Sequence, residues 1–216
     1  ALGEMTAGLA HQLRNSMAAI NGFSQLLHKK TVSDAALNDL AGSIREEAST
    51  AESLVSRFLN FARPLAPSYE RLSIHDLLEE CADKYRWAGD NQISIRIESM
   101  ADHAAIIMGD PLLLKEAIGN IIGNAIEAVD GAGLITITMS NINDICEIAV
   151  VDDGPGIPDD IIEHIFTPFF SSKPSGTGLG LALARKIITH HGGQIGFDPD
   201  CGDGAVCRIR LPLQVE

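Results

Sequence analysis

Apolar residues recur at three- and four-residue steps through the first part of the chain. Leu2, Met5, Leu9, Leu13, Met17, Ile20, Phe23 and Leu27 make one stripe along a long helix. A turn over residues 31–34 follows, with Ser33 or Asp34 as N-cap. A second helix carries Leu37, Leu40, Ile44, Ala48, Ala51, Leu54, Phe58 and Phe61, and Pro64 and Pro67 end it. A two-helix hairpin encloses too little core to stand alone. Two hairpins side by side complete a four-helix bundle, so a homodimer through residues 1–63 is expected.

The pattern then changes. Residues 73–87 read as a helix capped by Ser73, with Leu77, Leu78 and Cys81 inward. Residues 93–98 and 104–108 read as strands. Gly109-Asp110-Pro111 opens a helix running to about Val129, on which Ile118, Ile121, Ile122, Ala125 and Val129 share a side. Residues 134–140 alternate, 141–144 turn, and 145–152 pair back as a hairpin. A helix over 179–191 and strands over 194–198 and 205–211 close the chain. Helices gathered on one face of a mixed sheet make an α+β sandwich. The division expected is a helical unit, 1–66, and a sandwich, 67–216.

Between the apolar run 148–151 and the last helix lies a long loop spelled D-D-G-P-G-I-P, I-F-T-P-F-F-S-S-K and S-G-T-G-L-G-L-A-L. A strand that delivers an aspartate, then a glycine-rich loop, then a helix start can hold a nucleotide. The carboxylate accepts from a base, the glycines admit phosphates close to the backbone, and the helix N-terminus favours negative charge. The chain contains no Gly-Lys pair, which excludes a P-loop, and Leu181 stands where the dinucleotide fingerprint needs its third glycine. A loop this long in a compact domain is functional or disordered, and a functional lid fits better.

Charge sharpens the division. The net charge is −13 over 216 residues, which argues against nucleic acid or an anionic membrane as main partner. Residues 1–63 carry six basic and six acidic side chains, so residues 64–216 hold the whole excess. Cys81, Cys146, Cys201 and Cys207 form no C-x-x-C pair, and reduced thiols are expected although Cys201 and Cys207 could pair across a turn. No run is long enough to span a membrane. The chain opens already in helical register, as a core cut from a longer protein would. A cytoplasmic location is expected, with any membrane segment lying outside these residues.

D-D-G-P-G-I, P-F-F-S-S-K and G-T-G-L-G-L resemble the two glycine boxes and the F box of the sensor histidine kinases, in the GHKL ATPase superfamily. The run G-E-M-T-A-G-L-A-H-Q-L-R-N resembles the family's H box, and F-L-N-F-A-R-P resembles kinases of the nitrogen-regulation type. The resemblance implies a Bergerat-type sandwich, ATP and Mg²⁺ as cofactors, and a response-regulator receiver domain as partner. It implies that His11, about 200° round the helix from Leu9 and so facing solvent, is the phosphoacceptor. Read alone, His11 is a surface histidine. Gln12 stands where the family has an acid; an amide orients the ring but takes no proton. Ser16 replaces a customary proline. Asn15 matches the position that directs water in regulator dephosphorylation.

On the sandwich the resemblance implies adenine binding by Asp152, with Gly154 and Gly156 lining the base; alone, Asp152 and Asp153 read as a turn pair, and Asp153 is left as lid surface. Asn120 and Asn124, four apart on one helix face, match the N box and so Mg²⁺ and phosphate contact; alone, they read as a helix-packing hydrogen bond. Gyrase-like relatives place a glutamate base where Asn120 stands. Phe169 and Phe170 are the F box and are expected to anchor the lid. Lys173 is expected to reach phosphate, and Gly176, Thr177, Gly178, Leu179 and Gly180 to lead phosphate to the helix start. The implied activity is transfer of the ATP γ-phosphoryl group to His11 and relay to a regulator aspartate. Two alternatives keep the fold: a regulator phosphatase acting through Asn15, or an ATP-gated dimeric docking module with little kinase activity.

Overall fold

A computed structural model describes residues 18–29, 35–86, 92–99, 105–129, 131–173, 176–199 and 204–214. The chain divides into two compact units, Ala1–Pro64 and Leu65–Glu216.

In the first unit residues 18–29 form helix α1 and Ala35–Ala62 form α2. The residues the two helices bury are small. Ser24, Ala41 and Ala48 are buried, and the Ser24 hydroxyl donates to the Ala41 carbonyl. Ala41 lies outside the large-residue stripe that the sequence marks on α2. Of that stripe only Ala48 is buried, while Leu40 is 55% exposed and Ile44 and Leu54 are also exposed; on α1, Phe23 is 71% exposed. The small-residue contact brings the two backbones close and leaves the large apolar side chains outward. His11, Gln12, Asn15 and the turn over 31–34 lie outside the described residues.

The second unit runs β1 (Glu70–Ser73), α3 (Ile74–Arg86), β2 (Gln92–Ser99), β3 (Ile106–Gly109), α4 (Pro111–Ala128), β4 (Ala132–Ile142), β5 (Ile145–Asp152), α5 (Asp159–Ile162), α6 (Gly180–His190), β6 (Gln194–Phe197) and β7 (Ala205–Pro212). The main sheet has the order β2-β4-β5-β7-β6, with β2 parallel to β4 and the other pairs antiparallel. Strand β1, which no alternation announces, pairs antiparallel with β3 in a separate two-stranded sheet. The β4–β5 turn is shorter than the sequence suggests. Pairing continues to Ile142 and Ile145, and Asn143 turns the chain at φ 54°.

Period-two alternation decides which face is core. Ile135, Ile137 and Met139 of β4 are buried with Cys146, Ile148 and Val150 of β5 and Ala205, Cys207, Ile209 and Leu211 of β7. Ile137 pairs with Val150 and Val150 with Cys207, so these residues form rows across one face. Against it α4 packs Leu114, Ala117, Ile118, Ile121, Ile122 and Ala125, each large apolar side chain contributing about 1.5–3 kcal/mol on burial. The opposite face is polar: Glu147 accepts from Arg208 at 2.9 Å and from Arg210 at 2.8 Å. Those arginines hold the Glu147 carboxyl below its usual range despite partial burial.

The start of α4 is unusually well tied. Asp110 Oδ1 accepts the N–H groups of Leu112 (2.9 Å) and Leu113 (3.0 Å), while Oδ2 accepts that of Ser68 at 2.8 Å. Burial works against this carboxylate, but the three N–H donors outweigh it and lower its pKa. The Asp110 N–H in turn donates to His191 Nε2 at 3.0 Å, and His191 Nδ1 lies 2.8 Å from the Ile187 carbonyl. Those partners assign the proton to Nδ1, where it is donated to Ile187. Sequence reading did not mark His191; a helix-end histidine before Gly192-Gly193 carries no signal that it turns inward.

Candidate nucleotide site

Strand parity places Asp152. It continues the row Cys146, Ile148, Val150 and so turns to the helix-covered face at the strand's end, only 7% exposed. Asp153 points the other way, and its Oδ1 accepts the Leu134 N–H at 3.0 Å. Asp153 is therefore tied to β4 rather than standing as plain lid surface. Asp152 Oδ1 accepts the N–H groups of Gly154 (3.0 Å) and Ala205 (3.3 Å). Oδ2 has no partner among the described residues. Burial pushes the Asp152 carboxyl above the usual aspartate range, only partly opposed by those two donors.

Asn120 and Asn124 are half-buried on α4. Neither amide makes a hydrogen bond among the described residues, so the helix-packing bond is not formed. A Cβ built on Gly180 would lie 3.2 Å from Asn120 Oδ1, which sets the first residue of α6 directly beside the asparagine face of α4. Leu179 makes no side-chain cap for α6, leaving the first-turn N–H groups for a ligand. Among the described residues no cluster of three or more His, Cys, Asp or Glu side chains suits a metal. Two amide oxygens fit a hard cation that is held mostly by phosphate and water.

The lid between β5 and α6 is folded on itself. The Phe169 N–H donates to the Gly178 carbonyl at 2.9 Å, the Gly176 N–H to Lys173 at 3.1 Å, and the Leu179 N–H to Thr177 Oγ1 at 3.4 Å. Gly178 has φ 62°, and a Cβ there would meet the Phe169 carbonyl carbon at 2.4 Å, so only glycine lets the two segments cross. Gly156 also turns with positive φ. Lys173 Nζ pairs with Glu127 Oε2 at 3.2 Å, joining the lid to α4 one turn beyond Asn124.

The anchoring expected of Phe169 is not what is found. It is 62% exposed at φ 68°. The lid is fixed instead by buried Ile165 and by Phe166, whose ring meets Phe197 at 5.7 Å and lies under the Arg185 guanidinium. Phe170 keeps a contact with the His164 ring. Two partners of the site escaped the sequence. Glu127 shares the face of Asn120 and Asn124 by spacing alone, a signal that could have been read. Gly204 lies against Asp152, and the Asp-Gly step before an alternating strand was its only hint.

The three described cysteines are unpaired and buried. Burial raises Cys81 to about 11 and Cys146 to about 12, and shifts Cys207 in the same direction, so none is a nucleophile.

A buried aspartate under a glycine-bordered lid, facing an asparagine-bearing helix, places the second unit in a known ATPase class. The family model described as "Histidine kinase-, DNA gyrase B-, and HSP90-like ATPase" matches residues 109–215, and the "His Kinase A (phospho-acceptor) domain" matches residues 1–67. The signal transduction histidine-protein kinase AtoS of Escherichia coli (strain K12) is 34% identical over 213 residues, which cover 98% of this chain and 35% of AtoS. The chain thus spans about a third of that relative's length. Full-length ShkA, solved in complex with AMPPNP, is similar with a TM-score of 0.79 at 27% identity over 99% of this chain and 46% of that one. The catalytic domain of histidine kinase ThkA matches with a TM-score of 0.60 at 31% identity, over 68% of this chain and 96% of that domain. ThkA in complex with response regulator protein TrrA matches with a TM-score of 0.71 at 29% identity, over 99% of this chain and 62% of that one. The chain belongs to the two-component sensor histidine kinases, as a catalytic core of that family.

Proposed function

We propose that ATP bound to residues 67–216 donates its γ-phosphoryl group to His11 of residues 1–66, and that the phosphohistidine passes it to an aspartate of a response-regulator receiver domain. The single observation that carries the nucleotide half is Asp152, a buried carboxylate at a strand end with one oxygen clamped by two N–H groups and the other without a partner among the described residues. Its open oxygen accepts from the adenine amine. Gly154 and Gly156 line the base, Lys173 leaves Glu127 for phosphate, and the segment Gly176 to Gly180 leads phosphate to the N–H groups of α6. Phe169, exposed on the lid, covers the nucleotide rather than anchoring the loop.

Asn124 and Asn120 would hold Mg²⁺ by their amide oxygens, and the cation supplies charge neutralisation at the phosphates. The chain's own contribution is position. A ring nitrogen of His11 attacks the γ-phosphorus, the bond to the bridging oxygen breaks, ADP leaves, and the ring gives up a proton. Gln12 orients the ring but cannot take that proton. With Asn120 in place of a carboxylate, water beside the γ-phosphate is poorly activated, which favours histidine as acceptor. Asn15 directs water when the regulator is dephosphorylated.

The outward apolar side chains Ile20, Phe23, Leu26, Leu40, Ile44 and Leu54 support a homodimer closed through residues 1–63. ThkA, solved with a response regulator, supports the relay. No helix among the described residues is long and apolar enough to cross a membrane; we read the chain as a cytoplasmic core, with any membrane anchor lying in other segments. The test is chemical. Protein incubated with Mg²⁺ and γ-labelled ATP should carry a label that acid removes and base does not. An acid-stable label would overturn the assignment to histidine.

A further inference from the structure

Asp152 is held from two sides, and the second side comes from near the end of the chain. Gly204 has φ +100°, and a Cβ built on it would lie 1.9 Å from the Asp152 carbonyl oxygen, 3.0 Å from that carbonyl carbon and 3.3 Å from Asp153 Cα. All three are backbone atoms, so no rotamer change relieves the clash, and the φ itself disfavours a side chain. Glycine therefore lets β7 begin against the end of β5, where Ala205 pairs with Asp152. The next N–H, that of Ala205, then reaches Asp152 Oδ1 at 3.3 Å, beside the Gly154 N–H at 3.0 Å.

Two donors on one oxygen fix the plane of the carboxylate. From this we infer that Gly204 is a positioning residue for base recognition: by admitting β7 against Asp152 it clamps Oδ1 and turns Oδ2 toward the exocyclic amine of adenine. The inference rests on the base-reading role proposed for Asp152. The clamp also explains why an amide should fail at position 152. With its oxygen held by the two N–H groups, an asparagine presents its NH₂ to the base amine, donor against donor.

The test compares dissociation constants for ATP and for purine riboside triphosphate, which lacks the 6-amino group. General damage to the fold weakens both alike, whereas loss of base reading removes only the preference for ATP. The unaltered chain should prefer ATP by about tenfold or more, as for a hydrogen bond to a charged group. Asp152→Asn should abolish the preference. Gly204→Ala should also bind the two nucleotides equally, while Gly196→Ala, whose Cβ would meet nothing within 4 Å, should keep the full preference.

If Gly204→Ala does not fold, the second variant is a chain in which an ester oxygen replaces the Ala205 N–H. It is made by joining a synthetic segment 201–216 at Cys201, and it too should lose the preference. If Asp152→Asn retains the preference, the base-reading role fails. If Asp152→Asn loses it but Gly204→Ala, or the ester chain in its place, retains it, the base reading stands and the positioning role of Gly204 is overturned.

Discussion

Asp152 and Asp153 are adjacent, and strand parity gives them opposite tasks. One ends a buried apolar row; the other ties β4 through Leu134. The first task was legible, because the apolar run before Asp152 marks a buried strand and the glycines after it mark a turn; the second was not, since the Leu134 contact comes from the neighbouring strand and the sequence reads Asp153 as lid surface. The clamp from Gly204 was not, since it depends on which strand lies next to β5. Nor was the exposure of Phe169, because two adjacent phenylalanines do not say which one turns inward. Burial, only partly offset by the two N–H donors and by the charge of Lys173, raises the Asp152 pKa, so the ionised carboxylate opposes folding above that pKa. Asp152→Asn should therefore raise the unfolding temperature of the nucleotide-free protein at neutral pH, and the gain should shrink as pH falls below the folded pKa and be gone below the unfolded one. The same variant should lose about 1.5–3 kcal/mol of ATP binding. Thermal melts across pH and calorimetry check both; a variant that is less stable at pH 7 and binds ATP normally would count against this role. At the other reacting group, Gln12→Glu supplies a proton acceptor beside His11. Single-turnover labelling should accelerate, within the roughly 10²–10⁴-fold typical of general-base catalysis, with ATP affinity unchanged. Equal rates at every pH from 6 to 9 would show that proton removal does not limit the reaction.

Among the elements, α4 was the most legible. Its Asp110-Pro111 start and its apolar side were plain in the sequence, and its cap and buried residues follow that pattern. What spacing could not supply was the neighbour of its polar side, because the packing of α6 against α4 is a long-range contact. Gly180 beside Asn120 is that contact. Strand β1 was illegible for a different reason: four residues after Pro67 show no alternation, and their pairing with β3 is also long-range. The lid was legible as a loop, but α5 and the Phe166 anchor within it were not. Asn124→Ala should leave the fold intact, since the side chain is half-buried and unbonded among the described residues. It should abolish Mg²⁺-dependent ATP binding. Circular dichroism with calorimetry checks this, and full kinase activity in the variant would mean that the amide is not part of the site.

Over the whole molecule, the excess negative charge sits beyond residue 63, whereas the outward apolar side chains of α1 and α2 lie before it. The first unit is built to meet another surface and the second to enclose a small ligand. Leu40→Glu puts a charge on a side chain that is 55% exposed within one chain, so it should disturb the meeting of two chains and leave the sandwich of residues 67–216 folded. Sedimentation should then show monomer where the unaltered chain is a dimer; a persisting dimer would contradict closure through this face. The most direct measurement of the central claim brings both units together: label transfer from γ-labelled and α-labelled ATP to the unaltered chain, to His11→Gln and to Asn124→Ala. Label should appear only with γ-labelled ATP and only on the unaltered chain. Label that persists in His11→Gln, or that arises from α-labelled ATP, would contradict it.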